Sequence, residues 1–159
     1  MVATALSEPD LEALGRDLGR HLAALEQGVF IGLSGELGAG KSVLARAIAR
    51  GAGVTAAMPS PTFNLVFRYP LRDGRTLAHL DLYRLQSPDD VWELGWEELS
   101  GGDEIALVEW PARAGSLLPP DRWDVTLVEN GRPDLRRAAV TVAGAPPAFP
   151  AALLGQRAG

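Results

Sequence analysis

The chain contains no cysteine, which removes disulfides, zinc-thiolate and iron-sulfur sites and thiol nucleophiles from its chemistry. Lysine is nearly as scarce: of 15 basic side chains only Lys41 is a lysine, and the rest are arginine. Where arginine is the habitual cation, a solitary lysine marks a place that needs a compact ammonium instead of a planar guanidinium. Positive charge is also in deficit. Fifteen basic against 20 acidic residues leave a formal net charge of −5, so composition gives no broad electropositive face for gripping nucleic acid. No apolar run approaches the roughly 18 residues that a membrane helix requires, and Met1 to Asp10 lacks the basic-then-apolar form of a secretory leader. These absences lead us to expect a cytoplasmic protein without a membrane anchor. What is present, 159 residues of which 47% are hydrophobic, suits one globular domain without internal repeats, expected over residues 1–145, with a C-terminal tail over 146–159.

Local patterns order the chain. Ser7, Pro9 and Asp10 supply a capping hydroxyl, a first-turn proline and an acid three residues after the serine, the start of a helix. Leu11, Leu14, Leu18, Leu22 and Leu25 follow on one helical face. Residues 29–33 form a continuous apolar run of strand length, as expected of a strand covered on both faces. The alanine-rich residues 43–50 read as a second helix closed by Gly51. Two β-rich segments, 62–69 and 76–82, flank Asp73-Gly74 and predict a hairpin. Ser87 and Pro88 open a short helix through Val91, Trp92 and Leu94, and residues 105–109 form an apolar strand ending in Glu109. Residues 123–128 and 138–142, joined around Asn130-Gly131, predict a hairpin at a sheet edge. The alanine, proline and glycine after residue 145 predict a loosely ordered tail.

The segment Gly35-Glu36-Leu37-Gly38-Ala39-Gly40-Lys41-Ser42 fits G-x-x-x-x-G-K-[ST], and it lies where that motif works, after an apolar strand and before a helix. Its glycines let backbone amides turn inward around a phosphate, and the helix N-terminus adds partial positive charge. Lys41 can bridge β- and γ-phosphate oxygens, and Ser42 offers a hydroxyl to Mg2+. The expected nucleotide-binding set is Gly35, Gly38, Ala39, Gly40, Lys41, Ser42 and Val43, and the expected fold is α/β, a P-loop NTPase-like three-layer domain with a mixed sheet of parallel core and antiparallel edge strands. Hydrolysis requires a further acid near the metal. Asp81 and Glu109, each closing a predicted strand, are the two candidates. His79, two residues before Asp81, lies on the same side of that strand; it either orients a water or that acid or is hydrogen-bonded structure, and the second reading is preferred. Arg84 either lends charge to a leaving phosphate or pairs with Asp89 or Asp90. Trp110 covers a nucleotide base or a partner, while Trp92 and Trp96, four residues apart, face core or interface.

Four segments taken together resemble the TsaE (YjeE) family: the loop from Gly35 to Ser42, Ser60-Pro61-Thr62-Phe63, His79-Leu80-Asp81-Leu82-Tyr83-Arg84-Leu85 and Val108-Glu109-Trp110-Pro111. The loop is generic, the other three are specific, and the likeness runs from about Ser7 to Val142. It implies an ATPase subunit of the bacterial machinery that makes N6-threonylcarbamoyladenosine on tRNA, acting on the TsaD and TsaB pair and touching tRNA only indirectly. It further implies that Ser42 and Glu109 ligate Mg2+, that Thr62 belongs to a switch-like loop near the γ-phosphate, and that Asp81 serves metal or attacking water. A late-strand arginine of the family contacts nucleotide, which leaves Arg136 and Arg137 as alternatives. The chain departs from the usual loop, with Glu36, Ser42 and Val43 where the family has an aspartate and two threonines. A serine hydroxyl still suits Mg2+, and a side chain at Glu36 points away from phosphate in a loop that uses backbone donors.

The expected activity is hydrolysis of ATP with Mg2+, slow in isolation because no glutamine or histidine base stands in a fixed motif, with Lys41, Asp81 and Thr62 as the catalytic group. Two other classes share the loop. A small-molecule kinase needs a lid and an acceptor pocket, for which 159 residues leave little room. A nucleotide-gated adaptor needs no hydrolysis.

Overall fold

In a computed structural model, which describes residues 1–59 and 65–155, Ser7 caps the first helix, α1 (Glu8–Ala24). The Ser7 hydroxyl accepts from the Asp10 amide, and the Asp10 carboxylate accepts from the Ser7 amide at 2.9 Å. The sequence signal is thus a formed capping box. Leu11, Leu14, Leu18 and Leu22 are buried, each burial stabilising the fold by about 2 kcal/mol. Between them Gly19 lets α1 press on α2 (Lys41–Gly51), since a Cβ there would lie 2.0 Å from the Ile48 carbonyl oxygen. The leucine spacing alone does not show this close seam.

Seven strands among the described residues form one sheet: β1 (Val2–Leu6), β2 (Val29–Ser34), β3 (Val66–Pro70), β4 (Thr76–Asp81), β5 (Ile105–Glu109), β6 (Arg122–Glu129) and β7 (Arg136–Ala143), in the order β1-β7-β6-β2-β5-β4-β3. β4, β5, β2 and β6 run parallel, whereas β3, β7 and β1 pair antiparallel at the two flanks. This is the expected mixed sheet. Val29, Ile31, Leu33, Leu107 and Trp123 belong to the core on the side of α1 and α2, while Phe30, Leu80 and Val108 belong to a second core with Trp96 and Leu99 of α3 (Trp96–Ser100). Helix, sheet and helix therefore make three layers. Among the described residues no helix is long and apolar enough to cross a membrane.

Several elements differ from the sequence expectation. The β6-β7 hairpin is not the sheet's edge, because β1 pairs outside β7, with Val2 opposite Ala139. Five residues that pair with a strand more than a hundred positions away carry no periodic signal of their own. Trp92 and Trp96 do not share a helix face: a 3-10 helix (Pro88–Leu94) ends at Gly95, whose φ of 76° separates it from α3. Trp96 is 1% exposed and Trp92 49%. Residues 147–155 pack as well. Phe149 meets Trp123 edge-on at 5.0 Å, the Pro147 carbonyl accepts from the Trp123 indole at 2.8 Å, and Leu154 of α4 (Ala152–Gly155) is buried. Composition predicts mobility there because it does not show that two apolar side chains have a surface to cover. The part of the first predicted hairpin strand that precedes Leu65 lies outside the described residues.

Candidate functional site

The carboxyl ends of the parallel strands meet along one edge of the sheet, the position where open α/β sheets bind ligands. There β2 passes into the glycine-rich loop and α2. Gly40 caps α2 at φ 103°, ψ 14°, a left-handed conformation costly for other residues. At Gly35, φ 147°, a Cβ would lie 2.5 Å from the Leu127 carbonyl oxygen. Glu36 points into solvent, as expected.

Lys41 is 5% exposed, and its ammonium donates to the carbonyls of Gly35 at 2.6 Å and Glu36 at 2.8 Å. It also stands 4.5 Å from the centre of the Trp110 ring. Burial lowers the Lys41 pKa below the ordinary lysine value, opposed by the negative charges of Glu109, Asp81 and Glu36. Beside it the Ser42 hydroxyl approaches both Glu109 oxygens, at 2.9 Å from Oε1 and 3.1 Å from Oε2. Glu109 is 3% exposed, and its Oε2 lies 2.6 Å from His79 Nε2.

Strand register brings the second acid to the same place. β4 pairs with β5 so that Asp81 stands opposite Glu109 and His79 opposite Leu107. Alternation then puts His79, Asp81 and Glu109 on one face. Asp81 Oδ1 accepts from the Tyr83 amide at 2.9 Å. Burial raises the Asp81 pKa above the usual carboxylate value; the Tyr83 hydrogen bond opposes this and the charge of Glu109 adds to it.

These groups open on one cleft of about 710 Å³, lined by Gly38, Ala39, Gly40, Lys41, Ser42, Val43, Asp81, Glu109 and Trp110. Of the residues singled out from sequence, Gly35 contributes through its carbonyl on Lys41. Arg84 lines the cleft too. Thr62 lies outside the described residues. Of the two late arginines, Arg136 lies at the loop and lines the cleft, its guanidinium donating to the Ala39 and Gly38 carbonyls, each at 3.0 Å, while Arg137, next on the strand, is exposed on the other face. Sequence reasoning missed two contributors. Tyr83 stands against Trp110 with ring centres 5.0 Å apart, and the α1 start, at Ser7 and Glu8, forms one wall of the cleft. Trp110 itself holds a left-handed backbone, φ 58°, ψ 50°, a strain of about 1–3 kcal/mol of the kind that collects at functional sites. Tyr83 had a signal, since it lies two residues from Asp81; the α1 start, far away in sequence, had none.

Comparison with known proteins points to one family. The family model described as "Threonylcarbamoyl adenosine biosynthesis protein TsaE" matches residues 6–138. The tRNA threonylcarbamoyladenosine biosynthesis protein TsaE of Streptomyces coelicolor is 39% identical over 134 residues, covering 81% of this chain and 90% of that protein. The protein of the same name from Treponema pallidum is 37% identical over 120 residues, covering 75% and 84%. In three dimensions the crystal structure of Bacillus subtilis YdiB superposes with a TM-score of 0.71 at 28% identity, covering 91% of this chain and 86% of that one. The loop, the paired strand-end acids and these likenesses converge, and the chain belongs to the TsaE family of tRNA threonylcarbamoyladenosine biosynthesis proteins.

Proposed function

We propose that this chain binds ATP with Mg2+ in the cleft beside Lys41 and hydrolyses it, slowly alone and faster with the TsaD and TsaB subunits, in support of threonylcarbamoyladenosine formation on tRNA. One observation carries the reading: a buried ammonium, a hydroxyl and two carboxylates from four separate chain positions face one cleft at the strand ends. Loop amides and Lys41 bind the phosphates, with Lys41 exchanging its two carbonyl partners for phosphate oxygens. Arg136, which also lines the cleft, braces the loop through its Ala39 and Gly38 carbonyls. Asp81 accepts a hydrogen bond from the attacking water or from metal-bound water. Trp110 and Tyr83 form the aromatic wall for the nucleotide.

The donor set fits magnesium. Ser42 Oγ and Glu109 Oε1 lie 2.9 Å apart at the cleft, and both are hard oxygen donors of the kind that Mg2+ takes. Among the described residues no three His, Cys, Asp or Glu side chains converge to hold a metal ion by themselves, which suits a cation shared with substrate phosphates and water. Ser42 and Glu109 would hold it, with Asp81 nearby, and its charge would neutralise the β- and γ-phosphates.

Phosphate release from ATP, measured with and without purified TsaD and TsaB, tests the proposal. The expected result is slow release alone, acceleration by the pair, and a loss on the order of a hundredfold in Glu109→Ala with nucleotide binding retained. Unchanged cycling of the partners by Glu109→Ala would instead make the chain a nucleotide-gated adaptor, and transfer of phosphate to a metabolite would make it a kinase. The acidic balance of the chain, −5, supports action on protein partners, with tRNA contacted only through them.

A further inference from the structure

His79 takes no part in the cleft. It is 1% exposed and is not among the residues that line the cavity, although Asp81 and Glu109 on the same face are. Its contact toward the site is with Glu109 Oε2, at 2.6 Å. The Ser42 hydroxyl is nearer the other oxygen, Oε1, at 2.9 Å. The two carboxylate oxygens are therefore held unequally: Oε2 meets the imidazole at 2.6 Å and the Ser42 hydroxyl at 3.1 Å, while Oε1 meets the hydroxyl at 2.9 Å.

We infer that His79 is a positioning residue that fixes the Glu109 carboxylate through Oε2 and so selects Oε1 as the oxygen presented to the divalent cation. The inference rests on the Mg2+-ATP reading above and assigns one role within it. Several physical points support it. A carboxylate only accepts hydrogen bonds, so the neutral ring must carry its hydrogen on Nε2. Glu109 is almost wholly removed from water, and a buried charge needs hydrogen-bonding partners to be tolerated at all. Without the imidazole the carboxylate is free to rotate about its last bond and to exchange its two oxygens beside the Ser42 hydroxyl, which lies within 3.1 Å of each. Groups standing behind a metal ligand in this way commonly alter metal affinity by 10- to 100-fold when removed. Phosphate binding by Lys41 and the loop amides does not pass through His79.

The test compares wild type, His79→Leu and His79→Gln, the glutamine amide reaching about as far as Nε2 with a donor. Mn2+ serves as the probe, with its affinity read by electron paramagnetic resonance in the presence of ADP, and ADP affinity read separately in chelator by calorimetry. We expect His79→Leu to weaken Mn2+ by roughly 10- to 100-fold with ADP affinity in chelator unchanged, and His79→Gln to recover most of the loss. Equal Mn2+ affinity in wild type and His79→Leu overturns the inference, as does a glutamine variant no better than leucine. Failure of wild type to bind Mn2+ with ADP would instead overturn the Mg2+-ATP reading itself. Ring nitrogen shifts of the wild-type protein provide a measurement independent of any variant's folding: the Nε2-H tautomer is expected, and an Nδ1-H neutral ring overturns the inference.

Discussion

At the scale of single residues, Lys41 shows why one lysine survives in a chain that otherwise uses arginine. Its ammonium fits between two loop carbonyls, 2.6 and 2.8 Å away, in a space where a planar fork with five donors has no matching acceptors. Lys41→Arg should therefore weaken nucleotide binding nearly as much as Lys41→Ala, by about tenfold or more, measured by fluorescent-nucleotide titration. Asp81 gives a pH-dependent expectation. Its raised pKa, caused first by burial, means that the folded protein holds this proton more tightly than the unfolded chain. The stabilisation from that proton is fully present below the unfolded value of 3.8 and is lost as pH rises through the raised folded value. At neutral pH Asp81→Asn should raise the melting temperature of the nucleotide-free protein, since an amide can still accept from the Tyr83 amide without carrying buried charge.

At the scale of elements, the strand-loop-helix unit around residues 29–51 was legible because its signals are local: an apolar run, glycines where the loop turns, and a lysine and serine where the helix begins. The capping box of α1 was legible for the same reason. How closely α1 and α2 approach was not, because a helix-helix distance depends on which small residues face each other. Gly19→Ala directs a Cβ at the Ile48 carbonyl oxygen from 2.0 Å and should cost about 2–3 kcal/mol in urea unfolding. The split between Trp92 and Trp96 has a similar origin: the four-residue spacing suggested one face, and the left-handed turn at Gly95 cancelled it.

At the scale of the whole molecule, the sheet places its functional groups by pairing strands that are far apart in sequence. Ser42 and Glu109 meet across 67 positions, and Arg136 reaches Ala39 across 97. The C-terminal segment completes the domain on the side of the Trp123 core. Phe149→Ala removes the ring standing against Trp123 and should destabilise the protein by about 3 kcal/mol in urea unfolding, while the fraction still folded keeps its nucleotide affinity, because Phe149 is not among the residues lining the cleft. Stability and binding should therefore separate in this variant and fall together in none of its contacts with the site.

From its residues alone the chain determined where a phosphate loop lies, which acids end strands and which stretches alternate or repeat as strand and helix, because each of these is written in spacings of a few residues. Strand order and register were decided only in three dimensions. They put Asp81 opposite Glu109, set His79 beside that carboxylate, turned Arg136 to the glycine-rich loop and laid β1 outside β7. A register shift of one residue would turn every one of these side chains to the opposite face, and what prevents that shift is the packing of two apolar cores on the sheet, a property of the assembled layers.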